Sequence, residues 1–461
     1  MSATADGVAE APPATVTGRL VTGSVHRHLA RMTLPMTGGM LAVIGFNAVD
    51  TLFVAQLGTE ALAAISFTFP VVFIFIGLSI GLSAGSASAL SRAIGQGDQA
   101  HVQRLATDAL ILSVAIVAVC VAIGIATTDP LFRALGATDE TLPLIRQYML
   151  IWYLGMPALV VPMVGNGLIR ATGNAVVPGL IMVGGSLINV ILDPLLIFGW
   201  FGFPRLEITG AALATVAARM VTLVAALWVL RRMGLIAFCW PTLASMRRSW
   251  PAILAVGLPA SATNIINPVA VALVTRILAS FGPEAVAAFG VATRIEALAL
   301  IVYFAMSSVI GPLVGQNWGA GRLDRVRDAF WGAFFFCGAS ALALAAGLWL
   351  VAPTVTGWFS TESQVQATAT AYLLLVPISY GGAAVVIVGA AGFNGIGRPL
   401  PSMLFAITRM VGLYVPLAFL LAGPFHTTGI FMAAASANLL TGALVLGYVY
   451  WLCGRTTTGR I

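Results

Sequence analysis

Apolar stretches long enough to cross a bilayer recur from one end of this 461-residue chain to the other. Crossing roughly 30 Å of hydrocarbon takes about 20 helical residues. The hydropathy pattern gives twelve such stretches, at 30–55, 62–90, 105–127, 143–168, 175–199, 209–230, 250–278, 286–312, 327–352, 369–393, 400–422 and 428–453. With 59% of residues hydrophobic, 8% charged and a mean hydropathy of +0.98, no aqueous fold hides that much apolar surface. Strands of an outer-membrane barrel alternate apolar and polar residues, whereas runs such as Leu110 to Ala126 do not. Helices are the remaining way to satisfy backbone polar groups in lipid. The expected fold class is therefore an all-α polytopic membrane protein of twelve transmembrane helices, with the lipid bilayer as its solvent.

The net charge of +7 comes from 23 basic residues, all arginine. They are scattered between apolar runs and form no stripe with interleaved aromatics, so nucleic acid is not an expected partner. Topology accounts for them better. Assigning arginines to alternate sides puts sixteen with the N-terminus, among them Arg27, Arg92, Arg170, Arg232, Arg325 and Arg398, against Arg133, Arg146 and Arg205 on the other. By the positive-inside rule both termini are cytoplasmic. Arginine without lysine, in an alanine-rich chain, hints at a GC-rich bacterial genome, so a bacterial inner (plasma) membrane is expected. Residues 1–28 are expected to form a disordered cytoplasmic tail without a cleaved signal peptide. Cys120, Cys239, Cys337 and Cys453 have no metal or disulfide spacing and are expected to be small core residues.

Several motifs occur twice. Gly58 to Ala64 returns as Gly282 to Ala288, and Leu34-Pro35 as Leu258-Pro259, both at a shift of 224 residues; Gly173 maps onto Gly397 by the same shift. Gly95-Gln96 recurs as Gly315-Gln316, and Thr209-Gly210 as Thr428-Gly429. Shared order and nearly constant offset indicate a duplication. An even number of helices per repeat makes both lobes enter the membrane in the same direction, related by an axis along its normal, with a central cleft between them. The expected lobes are 29–231 and 250–453, joined by a cytoplasmic linker at 232–249 and followed by a short cytoplasmic tail at 454–461.

An ionised side chain at bilayer depth is costly and needs a partner or a purpose. Asp50, Asp193 and Glu296 are the acids at that depth, and Arg219, Arg276, Arg294 and Arg409 the bases. Asn189 and Asp193 are four apart and share a helix face. Pro194 frees the carbonyl of Val190 beside them. Such oxygens suit a hard cation, and a buried carboxyl among them equally suits a proton carrier. Asp50 lies well inside the first helix, where Pro35 weakens the backbone ladder and permits bending. The repeat pairs Asp50 with Val274 and Asp193 with Leu417, so these acids belong to one half alone. Glu296 and Arg294 are two apart and point differently, which leaves for Glu296 either an ion pair with Arg276 or another helix, or a contact with substrate or proton, with Arg219, Glu296 and Arg294 as possible modulators of the site.

Taken together, Val49-Asp50-Thr51 through Gln56, Gly58 and Glu60, Arg170-Ala171-Thr172-Gly173-Asn174, Asn189 through Asp193-Pro194, and Val314-Gly315-Gln316-Asn317 with Gly319 and Gly321 resemble the multidrug and toxic compound extrusion (MATE) family from about residue 28 to 453. The resemblance implies a drug/cation antiporter working by alternating access, most similar to the prokaryotic branch with its coupling site in the N-lobe. In that pattern Asp50 matches the first-helix carboxylate, Asn166 the fourth-helix asparagine, Asn189 and Asp193 the fifth-helix pair, and Thr215 the sixth-helix hydroxyl. This chain carries Asn267 near the place where another branch has a seventh-helix glutamate, which speaks against a C-lobe coupling site. Arg219 shares the helix face of Thr215 and approaches the same acids. It repels a metal cation, which favours protons over sodium as the coupling ion; only with sodium would Asp50, Asn189 and Asp193 be metal ligands.

The expected function is secondary active multidrug efflux, exchanging small amphipathic, often cationic compounds for H+ or Na+, without a cofactor and as a monomer. The alternative is a flippase or exporter of lipid-linked or other endogenous metabolites, which Arg294 and Arg409 keep open. No GxxxxGK[ST] loop is present to hold nucleotide phosphates, and no HExxH or membrane-depth histidine suggests an enzyme. The unmatched acids do not form the symmetric rings of a channel.

Overall fold

The computed structural model describes residues 18–57, 59–236 and 242–457; residues 1–17, Gly58, Cys239 and part of the inter-lobe linker lie outside it. The described residues are helical throughout, with no strand. The first seven spans are α1 (Val25–Ala55), α2 (Thr59–Gln96), α3 (Gln99–Ala134), α4 (Leu142–Ala171), α5 (Val176–Phe198), α6 (Glu207–Arg232) and α7 (Leu243–Ala279). The next, α8, consists of Pro283–Ala299 and Ile301–Gly319, bent by 45° at Leu300. Then come α9 (Leu323–Phe359) and α10 (Ser363–Gly395). The last stretch, Pro399–Gly454, is too long for one crossing. It breaks at His426, whose φ of 54° and ψ of −136° are not helical, giving α11 (399–425) and α12 (427–457). Twelve helices result, as the hydropathy pattern requires.

Helix starts at one end of the bundle carry the side chains their position calls for. Ser24, Asp98 and Thr242 accept from the backbone N–H groups of Arg27, His101 and Ser245, capping α1, α3 and α7. Thr242 thereby starts α7 inside the stretch expected to be linker, so 243–249 is helix. Ser245 and Trp250 both bond to Asp108 of α3. Residues 454–457 likewise continue α12 rather than starting a tail.

Each half packs around its own core. One cluster is drawn mainly from Val54 to Leu235, with Ile253 of α7, and the other mainly from Ala270 to Cys453, with residues of the first helix and Ala175. Gly173 and Gly397, paired by the repeat, both take positive φ, 91° and 79°, in the turns after α4 and α10, where a side chain would be strained. The duplicated sequence thus places the same turn twice.

The lobes meet along α2, which packs against α7 and α8, and along α1, which packs against α8. Polar contacts between the lobes cluster at the N-terminal end. Ser88 of α2 bonds to the carbonyl of Asn394, and Arg92 reaches the carbonyl of Gly395. Gln316 of α8 donates to the carbonyl of Ala171 at 2.6 Å.

The expectation of a disordered tail through residue 28 is corrected here. Residues 18–24 form a strap across this end, and α1 already begins at Val25. Leu20 is 1% exposed; its N–H donates to Gln316, and its carbonyl accepts from Asn317 and Arg325. The small polar composition that reads as a tail serves equally well for a strap whose hydrogen bonds are made by its backbone. Leu20, Val25, Leu29, Met32 and Met36 join the C-lobe core, while Val54 joins the N-lobe core. The first helix therefore changes lobes near Pro35.

Candidate functional site

Near the end of the bundle opposite the strap, α1, α4, α5 and α6 bring the N-lobe polar groups together. Asn189 and Asp193 are 3% and 0% exposed on α5. The one-turn spacing works as expected: Asn189 Nδ2 donates to Asp193 Oδ1 at 2.8 Å. Asp193 Oδ2 is buried without a protein partner, and so is Asp50 Oδ1 on α1. The two aspartates lie within electrostatic reach of each other. Arg219 of α6 is the cation nearest in effect to Asp50, yet among the described residues it forms no ion pair with either acid. Thr215 and Arg219 line one small crevice with Trp152 and Met156 of α4, so they do share a helix face.

A carboxylate oxygen buried with no donor is costly to leave charged. Two of them within electrostatic reach of each other, with an arginine near but not bonded, are the N-lobe groups that could take up a proton or small cation. Among the described residues no group of three His, Cys, Asp or Glu side chains could hold a metal ion, so a cation here would depend on amide, hydroxyl and carbonyl oxygens as well.

Tyr148 of α4 is a member that the sequence reading missed: it lies within electrostatic reach of Asp50, Asp193 and Arg219. Its sequence signal was faint, a single phenol among apolar residues, one turn before Trp152. Asn166 is not brought to the cluster. The crevice holding Thr215 lies beside Gly155, eleven residues earlier on α4, or about 16 Å along the helix axis. The neighbours of Asn166, Gly165 and Gly167, face Leu230 of α6 and Ser83 of α2 instead. Pro35 lies inside an α1 that stays one helix from Val25 to Ala55, and its carbonyl fits against Gly179 of α5, where a Cβ would stand 2.7 Å away.

The C-lobe acid finds its partners on other helices, the second of the two expected arrangements. Tyr372 of α10 donates its hydroxyl to Glu296 Oε2, and Arg409 of α11 lies within electrostatic reach of Glu296. Arg276, the other candidate partner, is exposed, as is Arg294. Arg409 donates to Asn438 Oδ1 at 3.4 Å and Asn267 Oδ1 at 3.2 Å.

Comparison with known proteins fits the repeat. The MatE family profile matches residues 35–195 and again 259–420, a displacement of 224 residues between the two starts, equal to the shift of the internal repeat. A relative from Shewanella oneidensis named "FAD transporter" is 40% identical over 92% of this chain and 94% of its own length. The crystal structure of the Vibrio cholerae MATE transporter VcmN in the bent form superposes with a TM-score of 0.89 at 27% identity, covering 94% of this chain and 98% of that one. An outward-facing multidrug resistance MATE family transporter of the MOP superfamily gives 0.90 at 26% identity over 97% and 100%. This chain belongs to the MATE family, and is a multi-pass membrane transporter rather than an enzyme.

Proposed function

We propose that this protein exports small amphipathic molecules by alternating access, in exchange for protons taken up at Asp50 and Asp193. The observation that carries the reading is the pair of buried carboxylate oxygens without protein partners at membrane depth, Asp50 Oδ1 and Asp193 Oδ2, both in the N-lobe among the described residues. Arg219 beside Asp50 favours a proton over sodium, because a fixed positive charge repels a metal ion more than it hinders a neutral carboxyl. Coupling requires that ion and cargo prefer different states of the protein. Helix α1 is suited to linking them, since it carries Asp50 in the N-lobe and packs on the C-lobe core up to Met36, with Pro35 at the crossover.

The strap end faces the cytoplasm of a bacterial inner membrane in this reading. Three of the four ion pairs among the described residues take up Arg133, Arg146 and Arg205, the arginines of the opposite end, with Asp139, Asp129 and Glu207. That leaves the excess of unpaired positive charge on the strap side, as the positive-inside rule asks.

Two readings of the cargo stand side by side. Multidrug export, of compounds that are often cationic, follows from the family. The name of the Shewanella relative supports the second, in which the cargo is an endogenous metabolite such as a flavin dinucleotide, flat and aromatic but anionic. Purified protein in proteoliposomes, given separately imposed proton and sodium gradients and offered ethidium and flavin adenine dinucleotide (FAD), tests both. The expected result is flux that follows the proton gradient. Flux driven by sodium alone would overturn proton coupling, and flux indifferent to both gradients would overturn the exchanger.

A further inference from the structure

Three helices of the C-lobe lose their regular geometry around one group of polar side chains. Helix α8 bends just after Glu296. Helix α10 tightens to a 3-10 turn at Val376–Ser379, where Pro377 lacks the N–H an α-helix would use. Helix α11 widens to a π-helix over Thr408–Tyr414; Pro416 cannot bond to the carbonyl of Gly412, and the ladder shifts. Irregular backbone at membrane depth is tolerated where it lines a cavity or is buried in protein, and π-helical turns concentrate at functional sites.

At the centre is Arg409, inside the π-helical turn. Two of its five N–H donors are spent on the amide oxygens of Asn267 and Asn438. Its Nε is buried with no partner. The nearby carboxylate, Glu296, is held by Tyr372, and no ion pair at bonding distance joins it to Arg409 among the described residues. The guanidinium is thus positioned by neutral groups rather than neutralised by an acid. It also faces the other lobe: Asn267 is exposed, and Asn264, three residues earlier on the same face of α7, packs against Gly77 of α2.

We infer that Arg409, with Asn267 and Asn438, forms a phosphate-binding subsite in the cleft that receives the anionic end of an aromatic cargo. The inference rests on the metabolite-export reading above and gives it a specificity-determining residue. A planar guanidinium with spare donors matches phosphate in a bidentate way that a lone ammonium does not. The amides hold the fork in place while the cleft is empty, so little order is lost when the anion arrives.

Flavin fluorescence anisotropy on the full-length protein in detergent tests this with FAD, flavin mononucleotide and riboflavin, which share the ring system and differ in phosphate. Wild type is expected to bind FAD most tightly and riboflavin least. Arg409→Gln should weaken FAD and the mononucleotide about tenfold while leaving riboflavin unchanged, and Arg409→Lys should recover part of the loss. Equal weakening of all three, or a lower unfolding temperature with no change in their ranking, would mean that Arg409 only balances Glu296, and would overturn the subsite. Unchanged FAD binding would do the same. Geranyl pyrophosphate separates the two sources of a phosphate: weaker competition than FAD supports a flavin cargo, and tighter competition overturns it in favour of a lipid-linked one. Failure here is distinct from failure of the exporter. A protein that pumps ethidium in exchange for protons, yet binds FAD without regard to Arg409, keeps its mechanism and loses this site.

Discussion

In the N-lobe, Asp193 is fully buried, its neighbour Asn189 satisfies one oxygen, and the other oxygen has no protein partner; Asp50 across from it is half-buried and likewise has one buried oxygen without a protein partner. In the C-lobe, the acid is taken by a tyrosine and the arginine by two amides. One lobe leaves negative groups unfinished and the other leaves a positive group only half engaged, although both descend from one repeat. The pairs Asp50 with Val274 and Asp193 with Leu417 indicate that the difference was built by substitution on a common frame. Unfinished acids suit a small cation that comes and goes, and a positioned guanidinium suits a larger anion. In the proposed mechanism, ion and cargo would then act on different lobes.

The comparison breaks most readily at Asp50. Asp50→Asn removes a titrating group that holds no protein partner at one of its oxygens, so folding should survive while gradient-driven flux falls about 100-fold, the scale of a full coupling free energy. Glu296→Gln is the matched change in the other lobe. The substituted amide still accepts from Tyr372, so flux should persist and stability should drop by about 1 kcal/mol. Proteoliposome flux with thermal unfolding of both proteins checks the pair. A Glu296→Gln protein as inactive as Asp50→Asn would place coupling in both lobes and end the asymmetry.

A smaller effect separates the chemical from the structural role of Asp193. Asp193→Asn retains an oxygen for the Asn189 amide, whereas Asp193→Ala leaves that buried donor unpaired, at a cost of about 1–3 kcal/mol. Both should lose coupled flux, and only the alanine variant should unfold at a lower temperature. Equal stability of the two would show that the hydrogen bond of 2.8 Å contributes nothing, and the N-lobe pair would then be held by packing alone.

Much of this architecture is legible in the chain because it follows from local periodicity. Twelve apolar runs, the one-turn spacing of Asn189 and Asp193, and the shared face of Thr215 and Arg219 all depend on residues near one another in sequence. What escaped depends on partners far away. Tyr148 looks like any aromatic in an apolar helix until α1, α5 and α6 surround it with charge. Asn166 is on the right helix, but depth along that helix is fixed by how α4 packs against α2 and α6. Arg409 reads as a stray base because Asn267 is 142 residues away from it. The strap is the clearest case: its backbone is held by Gln316, Asn317 and Arg325, which lie 296 to 305 residues further on than Leu20.

That strap gives the smallest and most local test, because it ties together the lobes whose walls differ. Arg325 donates to the carbonyls of Gly23, Leu20 and Thr22 at 2.7, 3.0 and 3.3 Å, and to Asn317 Oδ1 at 2.8 Å. Several of these bonds are exposed, where water replaces a lost partner, so Arg325→Ala should cost only about 1 kcal/mol of global stability. Its local effect should be larger. Leu20 is inserted between the lobes beside Gly173, and release of the strap exposes the bond after Arg19 to trypsin without disturbing Asp50 or Arg409 near the far end and in the cleft. Faster cleavage at Arg19, with cargo binding unchanged, is the expected outcome. An unchanged cleavage rate would mean that Gln316 and the packing of Leu20 hold the strap without Arg325, and that the lobes are tied at this end by apolar contact rather than by the hydrogen bonds of one arginine.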